Sequence, residues 1–335
     1  MTARDRRGET SPRIRDVAAA AGVSHQTVSR VINNSPRVRP ETRQLVVEVM
    51  ERLQYRPNRA ARALGLGRAR AVTVVTANTT LYGYASVLQG VEEAARLLGL
   101  AVGVRVVESD AAADVRQAVE YVSDPTAGSL VVVAFDPAGA GVLRELPDDV
   151  PVVAATEAGG LPGAGCRMIF LDERQAAADA TRHLLDLGHR TVHHVAIPSE
   201  ARASARGTGW REALEAAGRT VPAVVPAGWD YRSAYQAGQR LAAGGDVTAI
   251  LCGNDDTALA VRRALYEAGR DVPGDVSIVG FDDVPGAAYW TPALTTVRMD
   301  FGALGRQCVA ALAGEPETAP EPPRLVIRES TASPK

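Results

Sequence analysis

One lysine, Lys335, stands against 36 arginines in this 335-residue chain. Arginine suits bidentate contacts to planar anions, but a coding bias produces the same count, so Arg content alone carries no argument. Cysteine is scarce as well. Cys166, Cys252 and Cys308 are widely spaced, which argues against a disulfide framework and for a reducing, cytoplasmic setting. No stretch of about 18 apolar residues exists, so no segment reads as a membrane span. Residues 1–12 are charged and polar with no apolar run, which reads as a disordered arm and not as an export signal. No nucleophile-elbow motif accompanies a Ser/His/Asp pattern. Gly65-Leu-Gly67 lacks both the third glycine and the preceding strand of a nucleotide loop.

The near-neutral total charge of −2 hides a strong segregation. Residues 1–70 hold 15 Arg against 6 acidic residues, a net of +9, and residues 71–335 hold 22 basic against 33 acidic residues, a net of −11. A basic head attracts phosphate without regard to sequence, while an acidic body is held away from it.

Within the head, Ile14, Val17, Ala18 and Ala21 recur at helical spacing on one face. Gly22 allows a sharp turn, and Ser24 is placed to cap a second helix whose buried positions are Val28, Val31 and Ile32. His25, Gln26, Thr27, Ser29, Arg30 and Asn33 then point away from the core. In a helix-turn-helix the second helix enters the major groove, which makes His25 and Gln26 the expected base readers and Arg30 a guanine reader. The same spacing also fits an ordinary surface helical hairpin. Pro40 suits the first position of a third helix, where Leu45, Val46, Val49, Met50 and Leu53 form the stripe that completes a small core. Asn58 then caps a helix of under two turns, too short to be stable alone. It reads as a segment that folds on binding, with Arg59 and Arg62 near phosphates and Leu64 as an apolar wedge at a base step, or as a plain linker with helix propensity.

From Ala71 onward, strand-like runs alternate with helical patterns. Residues 71–77, 100–107, 129–134 and 150–154 read as buried strands, followed by a second set at 191–196, 223–225, 249–252 and 277–279. Repeated βα units imply parallel sheets covered by helices, two sets imply two lobes, and ligands in such lobes bind beyond the carboxyl ends of the strands. Asn254 and Asp282 follow two of those strands, and Arg206 lies early in a helix after a third. A carboxylate, a guanidinium and an amide converging on one cleft suit the vicinal hydroxyls of a sugar. Tyr82 and Tyr84, after the first strand, would line the opposite side, although aromatics pack cores as readily as pockets.

Asp255-Asp256 and Asp282-Asp283 admit an enzymatic or hard-cation reading, and His189, His193 and His194 a metal reading. Adjacent His193 and His194 point to opposite faces of a strand and cannot share one ion without distortion. The expectation is therefore no enzyme, no metal and no cofactor.

Asp16-Val-Ala, Ala21-Gly-Val-Ser, Thr27-Val-Ser-Arg-Val-Ile-Asn33, Tyr55-Arg-Pro-Asn58, Gly188-His, Arg206-Gly-Thr-Gly-Trp210, Gly253-Asn-Asp-Asp256, Val279-Gly-Phe-Asp-Asp283 and Pro292-Ala-Leu-Thr-Thr296 together resemble the LacI/GalR family of bacterial repressors. The resemblance implies an α/β chain: a three-helix helix-turn-helix head over 13–57, a hinge helix and linker over 58–70, a two-lobed periplasmic-binding-protein-like body of parallel sheets over 71–330 and a tail over 331–335. It adds Arg37 to the DNA-facing set, and Trp229 and Phe301 as aromatic platforms for a sugar. It also implies that the chain crosses between lobes three times, so that residues 301–318 rejoin the first lobe and a last strand, 324–329, joins the second. Arg13 stands where the family usually has Thr. Thr156 occupies a ligand position where the lactose-repressor branch has an acid, and Met299 replaces a polar residue beside the cleft. With no leucine heptads at the C-terminus, a tetramer built there is not expected. The implied function is a sequence-specific repressor of carbohydrate-utilisation genes, a homodimer on a pseudo-palindromic double-stranded DNA operator, released by a small sugar or glycoside. Two alternatives stay open: a co-repressor-responsive regulator, and a periplasmic-type sugar-binding protein, which the head and the missing export signal disfavour.

Overall fold

The computed structural model describes residues 12–32, 35–55, 71–157, 166–199, 204–315 and 321–335. They belong to two compact units, Met1–Ala69 and Arg70–Lys335. The first unit contains α1 (Ile14–Ala20), α2 (His25–Ile32) and α3 (Pro40–Arg52). Gly22, at φ 63°, makes the turn between α1 and α2 in the left-handed region that a side chain disfavours. Arg13 starts α1 without a hydroxyl cap; its backbone N–H instead donates to Asp16 Oδ2 at 2.7 Å, so the acid three residues on satisfies one orphan donor. Ser24 Oγ accepts from Thr27 N at 3.1 Å and caps α2. Val17, Ala18, Ala21, Val28, Val31, Val46 and Val49 form the core, with Ile14, Ile32, Met50 and Leu53 packed against it. Leu45, expected inside, is 45% exposed. Val46 and Val49 already fill the face of α3 that meets the other two helices, and Leu45 lies one step, about 100°, off that face.

The second unit holds two sheets. One is parallel, in the order β2-β1-β3-β4-β5, with β1 Ala71–Thr76, β2 Ala101–Val106, β3 Ser129–Ala134, β4 Val152–Thr156 and β5 Arg167–Phe170. The other runs β11-β10-β9-β8-β6-β7, with β6 His193–Ala196, β7 Val225–Pro226, β8 Ala249–Cys252, β9 Ser277–Asp282, β10 Thr295–Arg298 and β11 Arg324–Val326. It is parallel except for β11, which pairs antiparallel to β10. Strands β5 and β10, four residues each, were not read from the sequence. The final strand is shorter than expected: Arg328 N turns inward to Thr295 Oγ1, and Ser330 is buried against Ile278.

The two sheets share one plan. In each, the first strand of the set lies between the second and the third, so the order reverses between β1 and β3 and again between β6 and β8. That reversal opens a crevice at the carboxyl ends of the strands. Helices α4 (Tyr82–Leu97), α5 (Ala112–Val122) and α6 (Pro137–Glu145) belong to the first lobe. Helices α7 (Glu173–Asp186), α8 (Ala205–Ala216), α9 (Tyr231–Ala242) and α10 (Asp255–Glu267) belong to the second. Helix α11 (Phe301–Leu312) returns to the first lobe and packs on α4. The approach is backbone to backbone: a Cβ at Gly90 would strike the Gly302 carbonyl, and one at Gly305 the Val87 carbonyl. Gly209 has the same role between α8 and α7, where a Cβ would fall on the Arg174 carbonyl oxygen. No helix among the described residues is long and apolar enough to cross a membrane.

Candidate functional site

Helix α2 presents His25, Gln26 and Arg30 fully outward, with Thr27 and Ser29 half-buried beside them. Ser24 and Thr27 are already engaged with one another, their hydroxyls 2.9 Å apart. Arg37 is exposed on the loop before α3, and Arg43 Nη2 holds that loop by donating to Ser35 O at 2.6 Å. The outer face of α2 is thus a row of polar groups and one guanidinium, side-chain types able to pair with base edges. Asn33, Asn58, Arg59, Arg62 and Leu64 lie outside the described residues.

In the second unit, both strand-order reversals open onto one cavity of about 30 Å³. From the first lobe, the segment after β1 supplies Leu81, Tyr82 and Tyr84, the residue after β3 supplies Phe135, and the residue after β4 supplies Glu157. From the second lobe come Glu173, Ile197, Arg206, Trp229, Asn254 and Asp282, with Phe301 at the start of α11. A second space of about 260 Å³, lined in part by Asn78, Asp110 and Asp136, shares Leu81, Tyr84 and Trp229 with the first.

Arg206 is the one cation among the described lining residues and is buried. Its Nε and Nη2 donate to Glu173 Oε2 and Oε1 at 2.9 and 3.1 Å, and its Nη1 donates to the Gly253 carbonyl. The guanidinium lies 4.3 Å over the Phe281 ring. Asp282 approaches it only to 3.8 Å, beyond hydrogen-bond range, and its Oδ1 has no hydrogen-bond partner among the described residues. Burial raises the Asp282 carboxyl well above the usual range, outweighing the nearby guanidinium. Asp282, the last residue of β9, and Asp283 after it stand at φ 113° and 53°, a strained backbone for non-glycine residues. Asp283 is held there by Arg298 and Arg328, each at 2.6 Å.

Asn254 caps α10, its Oδ1 accepting from Thr257 N at 2.8 Å, which leaves the amide Nδ2 as its donor to the cavity. Glu157 accepts from Ser199 Oγ at 2.6 Å; burial, with the charge of Glu173, pushes its carboxyl up to about 8. Tyr84 donates to Asp136, whose other oxygen caps α6 through Gly139 N at 2.9 Å. Behind the site, His194 is buried, its Nδ1 3.0 Å from the Leu251 carbonyl, and burial lowers its ring to about 4, so it is neutral at pH 7.

Of the sequence-derived set, Tyr82, Tyr84, Arg206, Trp229, Asn254, Asp282 and Phe301 line this one cavity. Thr156 does not. It is the last residue of β4 and buried, whereas Glu157 faces the cavity, because successive residues at a strand end point to opposite sides. The expected ligand residue Thr156 is thus replaced at the cavity by its neighbour, the acid Glu157. Glu157, Glu173 and Phe135 escaped the sequence reading. For Glu157 and Phe135 the signal existed, since both directly follow a strand, the same rule that singled out Asn254 and Asp282. Glu173 carried no such signal, sitting in the first turn of a helix where acids are common.

Residues 13–58 match the profile described as bacterial regulatory proteins, lacI family, and residues 181–331 match a periplasmic binding protein-like domain. The chain is 34% identical to the HTH-type transcriptional regulator GalR of Escherichia coli K12 over 340 aligned positions, covering 96% of each chain. Its structure is similar to that of the Lac repressor dimer bound to operator and the anti-inducer ONPF, with a TM-score of 0.84 and 28% identity over 96% of this chain and 100% of that one. It is also similar to the complex of the transcriptional regulator CelR with cellobiose, with a TM-score of 0.67 and 29% identity over 95% and 99%. Two matched domains in one order, joined by identity along almost the whole length, place this chain in the LacI family of bacterial regulatory proteins.

Proposed function

We propose that the chain is a sequence-specific DNA-binding repressor of carbohydrate-utilisation genes, and that a small sugar or glycoside in the cavity around Arg206, Asn254 and Asp282 releases it from its operator. One observation carries the reading: Asp282 Oδ1, a buried acceptor with no partner among the described residues, faces a cavity whose walls come from both lobes. A buried acceptor left unpaired costs about 1–3 kcal/mol, which a ligand hydroxyl or amine recovers. The relatives support the class, being named as transcriptional regulators, one crystallised on operator and one with a disaccharide. On this reading the chain is not an enzyme and acts where the chromosome is.

His25, Gln26 and Arg30 read bases, with Ser24, Thr27, Ser29, Asn33 and Arg37 around them and Asn58, Arg59, Arg62 and Leu64 completing the DNA contact. The chain works as a homodimer. Edge strand β2 exposes Val104 and Val106, and a groove of about 1060 Å³ beside α9 and α10 carries Tyr231 and Tyr266, apolar surface suited to a second copy. Effector and operator oppose one another by reciprocal linkage. Gel shifts on pseudo-palindromic operators at increasing salt, with and without candidate sugars, test the proposal. Sugar that weakens specific binding supports it, sugar that strengthens binding makes the ligand a co-repressor, and no preference over random DNA refutes the regulator reading.

A further inference from the structure

Aromatic residues make up only 4% of the chain, Trp 3, Tyr 8 and Phe 4, yet Tyr82, Tyr84, Phe135, Trp229 and Phe301 all line the small cavity. Their rings touch in sequence: Tyr82 on Phe301 at 6.2 Å, Phe301 on Phe135 at 5.9 Å, Phe135 on Tyr84 at 5.3 Å and Tyr84 on Trp229 at 6.1 Å between centroids. The contacts are edge-to-face or tilted, so the chain of rings encloses the space and does not close into one stack. Among these rings stand three carboxyl groups, Glu157, Glu173 and Asp282.

One cation, Arg206, faces the three among the lining residues, and three of its five N–H groups are given to Glu173 and to the Gly253 carbonyl. Glu157 has only the hydroxyl of Ser199 as a donor among the contacts described, and Asp282 Oδ1 has none. The adjoining space adds Asp110 and Asp136 and, among its lining residues, no Lys or Arg. Among the described lining residues the cavity is therefore short of positive charge, with three carboxyl groups facing one guanidinium, and it is walled by aromatic rings, whose faces favour a cation. A neutral hydroxyl satisfies an acceptor but brings no charge, whereas a cation both donates and favours the ionised form of these buried carboxyl groups. An ammonium group answers both features together.

We propose that the effector of this cleft carries a positive charge: an amino sugar, a polyol ring bearing an ammonium group that sits among the five aromatic rings and donates to Asp282 and Glu157. The assignment rests on the sugar-responsive reading above and narrows its ligand class.

The test is titration of the full-length protein, by calorimetry and tryptophan fluorescence at pH 7, with D-glucosamine, D-galactosamine and D-mannosamine. Each is run beside its neutral parent hexose and its N-acetyl derivative, which keeps the nitrogen but removes the charge. The expected result is that at least one amine binds about tenfold more tightly than both of its neutral counterparts, the difference between a charge-assisted and a neutral hydrogen bond. In Asp282→Asn that advantage should fall below about threefold. The comparison within the unmodified protein decides the matter even where the variant fails to fold. A neutral hexose that binds as tightly as its amine overturns the cation assignment and leaves the sugar-responsive reading standing. Failure of every sugar to bind, charged or neutral, overturns the assignment and the sugar reading together.

Discussion

Replacing Arg206 by Met keeps most of the apolar stem and removes the guanidinium that lies over Phe281. The guanidinium gives Glu173, which is 3% exposed, two hydrogen bonds, and stands 3.8 Å from Asp282, which is 7% exposed. Its loss strands two buried carboxyl groups at once, and breaking a buried pair by removing one partner costs about 3–5 kcal/mol. Glu173→Gln should cost less, about 1–3 kcal/mol, because Arg206 still faces Asp282 and an amide oxygen still accepts from it. The double variant removes the stranded Glu173 charge, so it should recover about 1–3 kcal/mol relative to the sum of the single losses. Urea unfolding of the four proteins closes the cycle. The sign with pH follows: carboxyl groups without a cation have raised folded-state pKa values, so they hold protons the unfolded chain has released, and stability falls as pH rises. The Arg206→Met deficit should therefore be larger at pH 8 than at pH 5. A loss below about 1 kcal/mol, or strict additivity with Glu173→Gln, contradicts the idea that this pair anchors the site. At a temperature where Arg206→Met stays folded, it should bind operator and ignore effector; a full effector response in that variant removes Arg206 from the proposed switch.

Glu157, pushed up to about 8 by burial and Glu173 from an ordinary 4.5, makes the unliganded body lose stability across that window at up to about 1.4 kcal/mol per pH unit. Glu157→Gln should flatten the melting temperature between pH 5 and 8, and an unchanged slope would exclude Glu157 as its source. Gly209→Ala drives a methyl into the Arg174 carbonyl and should destabilise the body through overpacking by about 1–3 kcal/mol or more, seen as a lower melting temperature; scanning calorimetry would expose a tolerant contact as a neutral result. Gln26→Ala should weaken operator binding by about 1–3 kcal/mol and leave random-DNA binding unchanged, since base contacts specify and phosphate contacts do not. Equal losses on both DNAs in a gel shift would make Gln26 a backbone contact.

The helix-turn-helix was legible because its determinants are local: a three- and four-residue apolar period, Gly22 in a left-handed turn and Ser24 three residues before the N–H it caps. The alternating plan of the body was legible for the same reason, and so were the ends of strands, which placed Asn254 and Asp282. Leu45 shows the limit of periodicity, since an apolar residue one step off a helix face enters the stripe on paper and solvent in the fold. Thr156 shows a sharper limit. A single step along a strand end exchanges the cavity for the core, and only the register of β4 against β3 and β5 decides that Glu157 is the acid in the site.

Composition, period and capping on their own determined that a basic, helical head precedes an acidic body of repeated βα units, because those signals act between residues a few positions apart. The tertiary structure alone decided the chemistry of the cleft. Glu157, Glu173, Arg206 and Asp282 come from four different elements across two sheets, and whether a carboxyl there is paired, stranded or protonated depends on ångström distances created when the lobes fold.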